Sequence, residues 1–169
     1  MKMKSLFLLL MFSNCFQSDY LVYNDINNNY SLKYEKIWIK KVIDNNPFFF
    51  IKNDKSKFRT NVNILVQNLS NNPLNLKEYH EITLNQIENS IGSTNILSKK
   101  NTRVGEIEAK ELIYKIPKSI QNPHNLKIKQ IYFIKENKAV LITYTSISNN
   151  FDIYLQSADT FHKKIKVNW

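Results

Sequence analysis

Three histidines, a cluster of glutamates and one cysteine are the side chains of this 169-residue chain best suited to chemistry. His80-Glu81 begins like a metalloprotease helix, in which two histidines four apart hold zinc and the glutamate acts as base. Leu84 stands where the second histidine belongs, and no cluster of cysteine and histidine has metal-ligand spacing. Glu106, Glu108 and Glu111 are close enough for paired acid–base work. On a strand, however, Glu106 and Glu108 share one face and Glu111 takes the other, so a solvated face balancing Lys99, Lys100 and Lys110 is expected. Gly92 and Gly105 are the only glycines, too few for a phosphate-cradling loop, a dinucleotide fingerprint or a nucleophile elbow. No catalytic residue, metal site or cofactor is expected.

Cys15 is different, because its neighbours define a role. Lys2 and Lys4 give a positive start, Leu6 to Phe12 is an unbroken apolar run, and Ser13-Asn14 close it with polar residues. The run is too short to span a bilayer, and residues 1–14 have the layout of a secretory signal peptide. Phe12-Ser13-Asn14-Cys15 resembles the lipobox of bacterial lipoproteins, which implies that Cys15 receives an acyl chain such as palmitate and becomes the new N-terminus. Two positions depart from that pattern. Phe12 replaces the usual leucine, and Asn14 replaces a small residue. The alternative is an ordinary cleaved signal with an incidental cysteine, which would release a secreted protein.

Beyond Cys15, about 154 residues remain, enough for one domain with one core. Hydrophobic residues at 43% and aromatic residues at 12% are ordinary for a folded chain. No second cysteine is present to form a disulfide, so packing must supply the stability. The net charge of +10 rests on lysine, with Arg59 and Arg103 the only arginines. Base readout and bidentate phosphate recognition favour arginine, so nucleic acid is not expected as a partner. A/T-rich codons for Lys, Asn and Ile account for much of the basicity, and attraction to an anionic membrane surface stays open.

These residues must be positioned by strands and two helices. Residues 15–29 are expected to be the lipidated cysteine and a polar tether, fourteen of whose residues could reach roughly 45 Å. Tyr20 to Tyr23 could instead form a short edge strand. Tyr30 to Ile39, Phe48 to Ile51 and Asn61 to Gln67 read as strands, the last with Val62, Ile64 and Val66 on one face. Asn75 and Glu78 form a capping-box signal. Leu76, Tyr79, Thr83, Ile87 and Ile91 then fall on one helical stripe that Gly92 stops. Four strands follow at Ile96–Asn101, Ile107–Ile116, Leu126–Lys135 and Ala139–Ile147, the last two joined as a hairpin through Glu136-Asn137-Lys138. Apolar residues on both faces of Ala139–Ile147 predict a central strand covered on two sides. A second helix carries Phe151, Tyr154, Leu155, Ala158 and Phe161 at helical spacing, with Lys163, Lys164 and Lys166 near its end, where positive charge suits the dipole. Tyr79, Tyr144, Tyr154 and Phe161 are expected to pack the core.

The order of these elements, with Trp38, Asn61-Val62-Asn63-Ile64, Leu76-Lys77-Glu78-Tyr79, Gly105-x-x-x-Ala109-x-x-Leu112-x-Tyr114 and Ala158-Asp159-Thr160-Phe161, resembles the PsbP/Mog1-like superfamily, including bacterial DcrB-like lipoproteins. The resemblance covers roughly residues 30–165. It implies an α+β domain over residues 30–169: an antiparallel β-sheet of about six or seven strands with helices on both faces, an α/β/α sandwich. It also implies a non-enzymatic protein of the bacterial cell envelope, at the outer membrane or periplasmic face. Such a protein would be held to the membrane through the lipid on Cys15 and would meet an unknown envelope protein as partner or accessory subunit. A small-ligand or lipid-binding module with a cleft between sheet and helix is the alternative. A deep apolar pocket would favour it; a filled core would favour protein contact.

Overall fold

A computed structural model of the chain describes residues 19–120 and 122–169. The signal peptide 1–14, the lipidation at Cys15 and the start of the tether fall outside the described residues.

Ten strands and two helices follow in the order β1 (Tyr20–Asp25), β2 (Tyr30–Glu35), β3 (Trp38–Ile43), β4 (Asn46–Ile51), β5 (Asn61–Asn68), α1 (Leu76–Ile91), β6 (Ile96–Val104), β7 (Ile107–Ile116), β8 (Leu126–Lys135), β9 (Lys138–Ile147), α2 (Phe151–Lys164) and β10 (Ile165–Val167). Seven strands make one antiparallel sheet in the order β3-β4-β5-β9-β8-β7-β6, and β1-β2-β10 make a smaller one. The α+β sandwich expected from the resemblance is present.

The two-sided apolar pattern of β9 has its counterpart in its position. β9 pairs with β5 on one edge and β8 on the other, at the middle of the sheet. Val140, Ile142 and Tyr144 enter the cluster under α2, whereas Ala139 and Leu141 enter the cluster under α1. The α1 layer packs Tyr79, Leu76, Leu84 and Ile87 against Leu112, Tyr132, Ala139 and Leu141. On the other face Phe151, Ala158 and Phe161 of α2 share their layer with Tyr30, Leu32, Tyr34 and Ile165 of the small sheet. One helix is too narrow to cover seven strands, and the small sheet completes that cover.

Local chemistry fixes the boundaries. The Asn75 side chain accepts from the Lys77 and Glu78 N–H groups at 2.9 and 3.0 Å, and Glu78 Oε2 accepts from the Asn75 N–H at 2.9 Å. This is the capping box the spacing predicts. Gly92 ends α1 at φ +80°, where a side chain would be strained. Between β8 and β9 only Glu136 and Asn137 form the turn, at φ +46° and +56°, the left-handed pair of a type I′ turn. Lys138 belongs to the strand.

Three expectations are narrowed or corrected. The run Tyr30 to Ile39 is two strands in different sheets, separated by a turn at Lys36-Ile37. Of the two readings for Tyr20 to Tyr23, the edge strand is the one present: Tyr20–Asp25 pairs along β2, so the fold includes these residues ahead of residue 30. Its asparagines are the turn into β2: Asn28 donates to the Asp25 carboxylate from N–H and Nδ2 at 2.9 and 3.0 Å, and Asn29 adopts φ +52°. Last, Lys163 and Lys164 lie in the final turn of α2, but Lys166 is a strand residue of β10 and pairs with Ser31. Asn29 and Asn168 then exchange hydrogen bonds at 3.0 and 3.1 Å and tie the C-terminal segment to the first hairpin.

Both outer strands of the large sheet carry adjacent lysines at mid-length, Lys40-Lys41 in β3 and Lys99-Lys100 in β6. Such charges discourage the pairing of an open edge with another chain.

Candidate functional site

Glu111 departs most from its expected setting. Glu106 lies in the turn before β7 and Glu108 is exposed on the strand, but Glu111 turns inward toward α2. Its Oε2 lies 3.1 Å from Lys129 Nζ, which also lies 2.8 Å from Asp159 Oδ1. Lys129 is only 9% exposed. β8 places Lys129 on the core face beside Ile131 and Phe133, and α2 brings Asp159 over it. His162, one helical turn along α2, sits 3.9 Å from the same Asp159 oxygen. The group is one buried cation between two carboxylates, and it fastens α2 to β7 and β8. A lysine in register with apolar core residues was the signal for it; the glutamate spacing pointed elsewhere.

Burial lowers the pKa of the His162 imidazole below its ordinary 6.5, with Asp159 acting in the opposite sense and Lys129 and Lys163 lowering it further. The unfolded chain therefore takes up the proton first. Stability is expected to be full above about pH 6.5 and to decline as the pH falls from there. His162→Gln should flatten that decline, measured as urea midpoints between pH 7 and 5; an unchanged slope would remove His162 as its source.

The other histidines are separate from this group. His80 Nδ1 meets the Tyr132 hydroxyl at 2.5 Å beneath α1. Burial lowers its pKa, and Lys110 and Lys99 lower it further. Leu84, where the second histidine of the zinc motif would stand, packs against the apolar cluster under α1. His124 lies edge-on to Phe58, 6.2 Å between centroids. Among the described residues no three metal-ligating side chains converge. The Tyr79, Tyr144 and Phe161 side chains are buried and Tyr154 packs against the core, as expected of packing residues. Tyr144 donates to the Phe151 carbonyl at 2.8 Å, which sets the start of α2 against β9.

The open clefts have linings of mixed polar and apolar character. One of about 320 Å³ between α1 and β6–β7 is lined by Leu76, Asn101, Arg103, Glu108 and Lys110 among others. A neighbouring one of about 200 Å³ is lined by His80, Lys99, Lys100, Asn101 and Lys110, where Lys110 Nζ already donates to Asn101 at 2.6 Å. A third, of about 330 Å³, lies where the described chain begins, among Asp19, Tyr20, Glu35, Lys36 and Ile37. The space between sheet and helices is filled by side chains, Trp38, Phe49, Tyr132, Phe133, Phe151 and Phe161 being fully buried.

No protein-family model and no curated protein sequence matches the chain. Solved structures do. Cyanobacterial PsbP (CyanoP) from Synechocystis sp. PCC 6803 aligns with a TM-score of 0.62 over 88% of this chain and 92% of that one, at 10% identity. LpqN of Mycobacterium tuberculosis, involved in cell envelope biogenesis, gives 0.64 over 87% and 89% at 7% identity. The fold is PsbP/Mog1-like. The Ran-binding protein Mog1p of Saccharomyces cerevisiae extends the likeness at 0.53 over 88% and 95%, with 8% identity. In this PsbP/Mog1-like domain no helix among the described residues is long and apolar enough to cross a membrane. Identities this low carry the architecture of the PsbP/Mog1-like fold, and the site residues must be argued from this chain's own geometry.

Proposed function

We propose that this chain is a non-enzymatic, lipid-anchored protein of the cell envelope that acts through protein–protein contacts or as an accessory subunit. The observation that carries this is the filled core: the apolar interior is occupied by aromatic side chains, and the open clefts among the described residues have linings of mixed polar and apolar character. A small-ligand or lipid-binding module needs a deep apolar cavity with a few convergent polar groups. The likeness to LpqN, described as involved in cell envelope biogenesis, and to Mog1p, described as Ran-binding, supports an envelope setting and a protein partner.

The anchor and the partner have separate tests. Metabolic labelling with a radioactive fatty acid is expected to mark the wild-type chain and to be lost in Cys15→Ala. Equal labelling of both would reject the anchor. Crosslinking in the intact envelope should then capture a defined protein partner. A turnover of a defined substrate, abolished by one histidine or carboxylate substitution, would overturn the non-enzymatic assignment.

A further inference from the structure

The early start of β1 shortens the tether. If the lipid sits on Cys15, only four residue steps separate it from Asp19, whose carbonyl accepts the Lys36 N–H at 3.0 Å. Fully extended, four steps reach about 14 Å. An anchored domain is thus held close to the headgroups by one particular end.

That end is basic. It gathers the β2–β3 turn, with Lys36 and Ile37, and the β4–β5 connection, with Lys52, Lys55 and Lys57. The Lys52 N–H donates to the Ile37 carbonyl at 2.7 Å, which joins the two segments. All four lysines are exposed, and Ile37 is 41% exposed. Of the carboxylates there, Glu35 accepts from Ser157 at 2.5 Å. Asp54 accepts from the Ser56 and Thr60 N–H groups at 2.9 Å each. Both keep their charge but are held inward by these bonds, and Asp19 is the exposed acid of these segments. The opposite end carries exposed Asp44, Glu106 and Glu136 in the β3–β4, β6–β7 and β8–β9 turns. The two segments where the chain enters thus present more exposed lysines than outward acids, whereas at the far end Arg103, Lys135, Lys138 and Lys166 stand among the turn acids.

We propose that the end carrying Lys36, Ile37, Lys52, Lys55 and Lys57 lies against an anionic bilayer and forms a second attachment beside the acyl chain. It rests on the lipid-anchor assignment for the short tether and on charge complementarity for the contact. A basic patch beside a lipid anchor is one of the signals that strengthens membrane attachment. Each lysine near an anionic surface changes partition by roughly five-fold.

The mature protein is isolated from the envelope, or from the soluble fraction should Cys15 carry no lipid. An environment-sensitive fluorophore is placed at Ile37→Cys or, at the far end, at Asp44→Cys. Vesicles of phosphatidylcholine alone are compared with vesicles containing phosphatidylglycerol. The Ile37 probe is expected to brighten only on the anionic vesicles, and the Asp44 probe on neither. Replacing Lys36, Lys52, Lys55 and Lys57 with Gln should weaken the anionic preference about six hundred-fold. The same change at exposed Lys77, Lys100, Lys163 and Lys166 should weaken it only a few-fold. Equal losses for the two lysine sets, or an Ile37 probe indifferent to lipid charge, would overturn the proposal. Retention on neutral vesicles reads the acyl chain alone, so a failed anchor and a failed basic face give different results.

Discussion

Phe161→Ala is expected to lower the unfolding free energy by about 3–5 kcal/mol, the range for removing a fully buried aromatic side chain. Phe161 is completely buried where α2, the small sheet and the large sheet converge. Its ring meets Trp38 at 5.3 Å and Phe49 at 5.0 Å, both edge-on, and Tyr34 at 6.3 Å in a stack. These neighbours belong to β3, β4 and β2, so they are pinned by separate strands and cannot collapse together into the space left behind. Trp38 is held further by donating from Nε1 to Ser157 at 2.8 Å. On the same helix, Ile153 is 66% exposed, and Ile153→Ala should change stability by less than about 0.5 kcal/mol. Urea denaturation of the two variants makes the comparison. A loss below about 1.5 kcal/mol for Phe161→Ala would mean that α2 does not lock the layers as described.

Lys129→Met should be of similar size for an opposite physical reason. Methionine preserves the stem but removes the charge that Glu111 and Asp159 share. Two partly desolvated carboxylates are then left facing one another, and uncompensated buried charge costs about 3–5 kcal/mol. The informative variant adds Glu111→Gln and Asp159→Asn to Lys129→Met. If the loss comes from orphaned charge, the triple variant recovers a large part of it, which is a non-additivity that independent packing defects do not show. Additive losses across the three sites would reject the ionic clamp.

The parts of the fold legible in the sequence are those whose signals are local or strictly periodic. Asn75, Glu78 and Gly92 mark α1 because caps act within one turn of helix. β7 and β8 begin and end at the predicted residues, where their apolar-rich runs meet the turn and loop residues that flank them. β9 announces its central place through apolar residues on both faces. The small sheet escaped because β10 has three residues, too few to show any period, and because β2 runs almost directly into β3. Turns were masked by composition. Asn29, Asn45, Asn53 and Asn137 all hold positive φ, doing in this glycine-poor chain what glycine commonly does. In a chain heavy in asparagine such residues look like background. The Lys129 group was hidden because its members lie on β7, β8 and α2, and nothing in sequence distance ties Glu111 to Asp159.

The paired lysines on β3 and β6 have a consequence that only appears when many copies share one surface. Confinement to a plane removes most orientations a protein can take and raises the frequency with which identical neighbours collide side by side. A sheet with two open borders could then grow laterally, copy after copy, into a ribbon. Lys40-Lys41 and Lys99-Lys100 place like charges opposite one another in a self-pairing of either border, so each such collision is repulsive at the point where hydrogen bonds would start to form. If the proposed lipid on Cys15 holds it at a membrane, the chain can be dense in two dimensions and still remain a population of separate molecules.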